Sequence, residues 1–149
     1  MRRKSKHIKN EIKPDYLYQR IDVGRFINFI MKDGKKSVAE KIVYKALDEI
    51  KKITKEDPVK IFEKAITNAS PMLEVVSRRV GGANYQIPVE VRPERKFFLA
   101  AHWIVWSAQS KKSRPMFQRL TEEIVAASKN EGAAIKKKQD MHRVAEANR

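Results

Sequence analysis

The chain lacks cysteine, and its 149 residues include only five glycines, six prolines and three histidines. Without cysteine, disulfides, thiolate metal sites and cysteine nucleophiles are excluded. No apolar run approaches the roughly 20 residues that a membrane-spanning helix needs, so we expect no membrane partner. The basic start at residues 1–7 is not followed by an apolar segment, which argues against a secretory signal.

Acidic residues are also scarce. The 18 Asp and Glu stand against 33 Lys and Arg, which gives a formal net charge of +15. Such an excess repels itself in a compact chain, so a polyanion is the natural partner. The charge is spread along the chain rather than confined to one amphipathic helix, which favours a phosphate backbone over an anionic membrane.

The hydrophobic pattern predicts a mainly helical protein. We expect one domain over residues 1–149, built as a bundle of about six helices with a projecting two-stranded β-ribbon between the third and fourth. Residues 1–20 show no periodicity and are interpreted as a basic arm that stays disordered until phosphate neutralises it. Residues 73–91 are the predicted ribbon, and residues 133–149 are a predicted basic C-terminal helix.

Local signals predict where the first three helices begin. Asp22 is a plausible N-cap for the first helix, and Gly34 a plausible stop. Ser37 followed by Glu40 reads as a capping box at the start of the second helix. The pair Asp57-Pro58 is a cap followed by proline at the first helical position, which predicts the third helix.

The ribbon is predicted from two runs rich in valine and isoleucine, residues 73–80 and 85–91. Between them lies Gly81-Gly82-Ala83-Asn84, in which glycine and asparagine tolerate the positive φ of a hairpin turn. Pro88 would interrupt a central strand, so a two-stranded ribbon is favoured over a sheet core.

The fourth helix is predicted to start at Pro93, and the fifth to end near Gly132. The predicted buried stripe of the fourth helix comprises Phe97, Phe98, Ala101, Ile104, Val105 and Ala108.

Residues that could support catalysis are not arranged for it. Gly34-Lys35 resembles the end of a phosphate-binding loop, but Lys36 replaces the required serine or threonine. His7, His102 and His142 lack the spacing of metal ligands. Glu122-Glu123 point to different helix faces, which suits solvent rather than an acid/base pair. We therefore expect neither an enzyme nor a cofactor or metal site.

Basic residues cluster beside turns and helix ends. One such cluster alone is explained equally well by a solvated face. Five clusters and a basic arm on one bundle favour a polyanionic partner, and ribbon arginines suit phosphate contacts and stacking on unpaired bases. The clusters are Lys35-Lys36, Arg78-Arg79, Arg92 with Arg95-Lys96, Lys111-Lys112 with Arg114, and Lys136-Lys137-Lys138 with Arg143.

Three blocks of sequence carry a resemblance to a known family. The segment from Val75 to Pro93, VVSRRVGGANYQIPVEVRP, closely resembles the ribbon of bacterial-type small-subunit ribosomal protein seven. The blocks DGKKS-x-AE from Asp33 and DMHR-x-AEAN from Asp140 resemble two further family segments, in order and at the family's spacing. On these blocks the chain is identified as a member of this family over essentially its whole length.

The resemblance implies a structural component of the small ribosomal subunit, a primary rRNA-binding protein that nucleates assembly of the head domain. It further implies a position near the mRNA exit and the exit-site tRNA, beside small-subunit ribosomal proteins nine and eleven. We expect the protein to be ribosome-bound, in the cytoplasm or in an organelle. A free-standing RNA chaperone or translational repressor is the alternative that the sequence leaves open.

Site residues follow from the resemblance and from the basic clusters. The match of the arm to the family is one of charge and placement only, and Lys112-Ser113-Arg114-Pro115 stands where the family usually has a Gly-Asp turn. The residues expected to bind rRNA are Arg2, Arg3, Lys4, Lys35, Lys36, Arg92, Arg95, Lys96, Lys111, Lys112 and Arg114. Those expected to face tRNA and mRNA are Arg78, Arg79, Gly81, Gly82, Asn84, Tyr85, Lys137, Lys138 and Arg143.

Overall fold

The computed structural model describes residues 11–148, which form six α-helices and one β-hairpin. The hairpin stands between the third and fourth helices, so the predicted fold class is confirmed. In chain order the elements are α1 (Ile21–Ile30), α2 (Lys36–Thr54), α3 (Pro58–Ala69), β1 (Leu73–Val80), β2 (Ala83–Glu90), α4 (Pro93–Ser110), α5 (Met116–Ser128) and α6 (Ala133–Ala147).

The predicted start of α3 is confirmed, whereas that of α2 is not. Pro58 is the first residue of α3, and the Asp57 carboxylate accepts a hydrogen bond of 3.0 Å from the backbone N–H of Val59. α2 begins one residue before Ser37, and no side chain caps it. The predicted capping box of Ser37 and Glu40 is therefore wrong, because Ser37 already lies within the first helical turn.

α1 also begins one residue before its predicted cap, Asp22. The Asp22 carboxylate lies in the first turn, where a negative charge is favourable, and forms an ion pair of 2.9 Å with Arg20. The helix ends at Ile30, and Gly34, the predicted stop, lies in the following turn with a φ of 72°.

Residues 11–20 precede α1 without forming a helix or strand. Asp15 is 5% exposed, and its carboxylate accepts hydrogen bonds from the backbone N–H groups of Leu17, Tyr18 and Arg20 at 2.7–3.1 Å. A side chain at Gly24 would lie 2.8 Å from a backbone oxygen of this segment. The disorder predicted through residue 20 is therefore wrong for residues 13–20, because residues 13–15 pack against Gly24 of α1 and Asp15 holds the backbone of the residues that follow.

The core lies among the helices, with α5 packed against α2, α3, α4 and α6. The buried rings of Phe26 and Phe62 meet edge to face, with 5.0 Å between their centroids. Burying a side chain of this size contributes about 1.5–3 kcal/mol. This packing fixes the positions of the turns and helix ends at which the basic residues stand.

The buried face of α4 differs from the predicted stripe. Phe98 is 40% exposed, so its predicted burial is wrong, and Phe97 is only half-buried. Leu99 and Trp103 are buried in addition, since α4 packs against both α5 and α6 and its inner face is turned toward them. The remaining stripe residues are buried as predicted: Ala101, Ile104, Val105 and Ala108.

The two strands of the ribbon pair antiparallel from Leu73 opposite Glu90 to Val80 opposite Ala83. The connecting turn contains only Gly81-Gly82, both with positive φ (58° and 90°), so β2 begins two residues earlier than predicted. Two positive φ values are what a tight hairpin turn requires. With two strands each is an edge, which accommodates the proline in β2.

The last helix, α6, begins at Ala133 as predicted and ends at Ala147, whereas α5 ends at Ser128, four residues before Gly132. Asn130 and Gly132 adopt φ values of 60° and 98° in the intervening turn. α6 then packs against both strands of the ribbon as well as α3, α4 and α5. The ribbon therefore has its base supported by a helix, while its tip is exposed.

Candidate nucleic-acid interface

The turn between α1 and α2 presents two lysines on a constrained backbone. Asp33 and Gly34 both adopt positive φ, and the backbone N–H of Lys35 donates to the Lys32 carbonyl over 3.0 Å. Lys35 and Lys36 are exposed and have no ion-pair partner among residues 11–148. Both of these predicted rRNA-binding side chains are therefore open to a phosphate.

The three predicted basic residues between α4 and α5 are not equally accessible. Lys111 Nζ lies 3.2 Å from Glu123 Oε2 and 3.8 Å from Glu122 Oε2, and Arg114 pairs with Glu122. Lys112 is exposed and unpaired within the described chain. Because exposed ion pairs are worth only about 0–1 kcal/mol, Arg114 can exchange its partner for a phosphate, whereas Lys111 is tied to a buried carboxylate.

A cavity of about 320 Å³ lies between the turn that joins α1 to α2 and the facing ends of α4 and α5. It is lined by Lys32 and Lys35 from the turn, by Gln109 of α4 and by Arg119 of α5. Arg119 also donates to the carbonyl of Lys111 and so holds the link. The structure thus places Lys35 of one predicted cluster beside the same cavity as Arg119, which stands alone in the sequence and gave no cluster signal.

Glu123 is a buried charge that the sequence interpretation missed. It is 1% exposed, so its assignment to solvent is wrong. Its Oε1 accepts a hydrogen bond of 3.0 Å from the backbone N–H of Ala134, in the first turn of α6, where the helix dipole favours a carboxylate. Its other oxygen pairs with Lys111, so Glu123 connects α5 to α6 and to the link between α4 and α5. Neither partner is close in sequence, so no local pattern could reveal this role.

Three predicted basic residues lie where the ribbon returns to the bundle. Arg92 is exposed and has no ion-pair partner in residues 11–148, whereas Lys96 is half-buried. Arg95 Nε lies 3.3 Å from Glu74 Oε2, and its guanidinium carbon lies 4.8 Å from the centroid of the Phe98 ring. Arg92 is therefore the most accessible cation at this end of α4.

The ribbon tip carries exposed side chains on both faces. Arg78 is paired with Tyr85 and Arg79 with Asn84 across the two strands. Since successive residues of a strand point to opposite faces, Arg78 and Tyr85 share one face, and Arg79 and Asn84 share the other. At the apex, a Cβ added to either residue of Gly81-Gly82 would meet nothing within 4 Å. The tip can therefore contact a partner from either side.

The basic residues of α6 have different surroundings. Lys137 is exposed, and its Nζ lies 4.7 Å from the centroid of the Trp106 ring of α4. Arg143 is exposed and pairs with Asp140 over 2.9 Å within the helix. Both can reach a phosphate at little cost, because the contacts that they make in the protein are weak surface contacts.

Lys138 and His142, one turn apart on α6, hold the helix against the end of α3 and the start of the ribbon. Lys138 Nζ donates to the Asn68 carbonyl over 2.7 Å, and burial lowers the pKa of Lys138. His142 Nε2 accepts a hydrogen bond of 3.0 Å from the backbone N–H of Met72. Burial and the nearby charge of Lys138 lower the pKa of His142, so the imidazole stays neutral and can accept this bond. Lys138, predicted to face tRNA and mRNA, thus also has a structural contact.

Three of the predicted rRNA-binding residues lie outside the described part of the chain, and within that part there is neither a candidate metal site nor a membrane-spanning helix. The three residues outside it are Arg2, Arg3 and Lys4. From residue 11 to residue 148, no three histidine, aspartate or glutamate side chains are grouped so that they could hold a metal ion. Within the same range, every helix is too short or too polar to cross a membrane.

Comparison with known proteins gives a match over the full chain. The family model for ribosomal protein S7p/S5e matches residues 1–149. The small ribosomal subunit protein uS7 of Thermotoga maritima is 53% identical over 141 residues, which cover 95% of this chain and 91% of the relative. That of Dictyoglomus turgidum is 54% identical over 139 residues (93% and 89%), and that of Xanthobacter autotrophicus is 50% identical over 149 residues (100% and 96%). The chain therefore belongs to the ribosomal protein S7p/S5e family.

Proposed function

We propose that this chain is a structural component of the small ribosomal subunit that binds rRNA directly and nucleates assembly of the head domain. In this role it lies near the mRNA exit and the exit-site tRNA, beside small-subunit ribosomal proteins nine and eleven, and catalyses no reaction. One observation carries the proposal: in a chain of this family, exposed cations with no carboxylate partner among residues 11–148 stand at the turn between α1 and α2 and just before α4.

Lys36 and Arg92 are the clearest of these cations. Each is exposed, and neither forms an ion pair among the described residues; Lys36 is the first residue of α2, and Arg92 immediately precedes α4. A cation that binds a phosphate releases condensed counterions, which supplies much of the affinity of proteins for RNA. The planar guanidinium of Arg92 also suits bidentate contact with a phosphate.

The direct test is binding to an RNA fragment of the small-subunit head domain. Affinity is expected to fall with salt, with each phosphate contact adding roughly 0.7–0.9 to the slope of log K against log salt. The double variant Lys36→Glu/Arg92→Glu should bind more weakly and show a shallower slope. Lys60→Glu/Lys64→Glu makes the same change of charge at exposed positions of α3 that have no ion pair within the described part of the chain, and it should have a smaller effect. Equal affinity for the fragment and for a scrambled RNA of the same length would contradict the proposal.

The ribbon tip is expected to act after assembly. A variant lacking residues 81–84 should enter small subunits, because the tip is exposed and contributes nothing to the core. It should disturb the handling of exit-site tRNA, which can be measured as tRNA release from ribosomes that carry the variant. Failure of the trimmed protein to enter small subunits would refute this division between an assembly surface and a tRNA-facing tip.

A free-standing RNA chaperone or translational repressor would also be basic and would also bind RNA. Sedimentation of a cell extract separates the two, because a ribosomal component travels with the small subunit at all salt concentrations that leave the subunit intact. A protein that stayed mainly in the ribosome-free fractions would contradict the ribosomal role.

A further inference from the structure

The outer face of α4 carries three exposed rings in a row. Phe98, His102 and Trp106 are four residues apart, so they lie on one side of the helix over a length of about 12 Å. Phe98 is 40% exposed, His102 is exposed and Trp106 is 45% exposed. We call these three residues the aromatic strip. A row of rings on a helix surface is unusual, because a soluble protein ordinarily buries such apolar area.

The first half of the strip is held in a fixed arrangement. The His102 ring is stacked on the Phe98 ring, with 6.0 Å between centroids and 4° between planes. Phe29 of α1 meets Phe98 edge to face at 5.3 Å, and the Arg95 guanidinium carbon lies 4.8 Å from the Phe98 centroid. The imidazole therefore continues a stack of planar groups, and a further planar group can be added to it without reorganising the protein.

Cations lie against both ends of the strip. Arg95 is at the Phe98 end, and Lys137 of α6 has its Nζ 4.7 Å from the Trp106 centroid. Beyond them, the exposed Arg92 precedes α4 and the exposed Lys112 follows it. α4 has 18 residues, which corresponds to about 27 Å, so the strip lies between two basic regions on one helix.

We propose that the aromatic strip stacks unpaired bases of an RNA strand that runs along α4, while cations at the two ends of the helix hold its phosphates. This rests on the proposed function, since the same RNA supplies the phosphates, but it concerns a different kind of contact. Rings provide stacking on any base, whereas lysine and arginine provide charge. A protein partner could also pack against these rings. An RNA strand is favoured because the cations at each end of the strip are complementary to a polyanion.

The test compares two RNAs that differ only in their bases. A single-stranded oligonucleotide and an abasic oligonucleotide of the same length and charge are titrated against the full-length protein. The wild-type protein is expected to prefer the base-containing strand. Phe98→Leu/Trp106→Leu, which keeps apolar side chains but removes two rings, should weaken binding of that strand roughly tenfold. Binding of the abasic strand and its salt dependence should not change, since no cation is altered.

The matched control is Tyr16→Leu, which removes an 86% exposed ring far from α4 in sequence and should leave the preference for bases intact. If the double variant retained the full preference for the base-containing strand, the proposal would be overturned. If the wild-type protein bound both strands equally, the proposal would also be overturned, whereas the proposed function is tested separately by binding to the head-domain RNA fragment.

Fluorescence gives a second measurement that does not depend on affinity. The chain has two tryptophans, so Trp103→Phe leaves Trp106 as the only one. Base-containing RNA is expected to quench Trp106 emission in this variant, because a stacked base contacts the indole directly, while abasic RNA should leave it nearly unchanged. Equal quenching by both strands would contradict stacking at Trp106.

Discussion

Replacing the buried Glu123 by leucine is expected to destabilise the protein through the loss of two specific partners. The Glu123 side chain is 1% exposed. Its Oε1 accepts a hydrogen bond from the backbone N–H of Ala134, and its Oε2 forms an ion pair with the ammonium of Lys111. Leucine has a similar size but no acceptor. The backbone N–H of Ala134 would therefore be buried without a partner, and Lys111 would lose its strongest ion pair.

The magnitude follows from these two contacts. A buried backbone N–H that loses its acceptor costs about 1–3 kcal/mol. The Lys111 side chain is 40% exposed, so water screens its ion pair, and its loss adds only about 0.5–1 kcal/mol. Relief of the desolvation of the Glu123 carboxylate offsets part of this cost. A net loss of about 2 kcal/mol is expected, which lowers Tm by about 4–8 °C in a chain of this size.

Thermal unfolding followed by circular dichroism measures the effect. Glu123→Gln keeps an acceptor oxygen for Ala134 and should cost about half as much, which separates the hydrogen bond from the charge. Glu122→Leu is the control, because the carboxylate of Glu122, the neighbour of Glu123, is exposed and its ion pairs are worth about 1 kcal/mol or less. The reasoning is refuted if Glu123→Leu lowers Tm no more than Glu122→Leu does.

Two further predictions concern the other side chains that tie peripheral segments to the bundle. The pKa of His142 is lowered in the folded protein, so its contribution to stability is present above pH 6.5 and is lost as the pH falls through the folded pKa. The pH dependence of the unfolding free energy should therefore be weaker in His142→Gln. Identical pH profiles for the two proteins would contradict the role of the hydrogen bond between His142 and Met72. Asp15→Ala removes the acceptor shared by three backbone N–H groups and should speed hydrogen exchange in residues 15–20 while the core stays protected; unchanged exchange there would exclude Asp15 as the anchor.

The helices and the ribbon could be predicted from the sequence because their signals are local. Asp57-Pro58 needs only its own helix to act as a cap, and the Gly81-Gly82 turn needs only positive φ. The start of α1 was misplaced because Asp15, five residues before Arg20, holds the backbone N–H of Arg20 and thereby helps to fix where the chain enters the helix. This hydrogen bond lies outside the helix pattern itself, so the cap preference of Asp22 alone does not show where α1 begins.

The sequence was enough to predict which cations could bind RNA, but not which of them are free to contact a phosphate. Lys35, Lys36 and Arg92 are open, whereas Lys111 and Lys138 are engaged by groups distant in sequence. Charge clusters in a sequence do not reveal which carboxylate or carbonyl lies opposite each lysine. The exposure of Phe98 could not be predicted for the same reason, since only the packing of α4 against α5 and α6 decides which side of that helix is covered.

A chemical footprint of the full-length protein on small-subunit rRNA tests the central claim most directly. The account expects protection confined to the head domain of the RNA, reduced by Lys36→Glu/Arg92→Glu and retained by Lys60→Glu/Lys64→Glu. Protection spread evenly over the RNA, or a footprint that both double variants weaken equally, would mean that the net charge of +15 rather than a defined surface is responsible for binding, and would contradict the account.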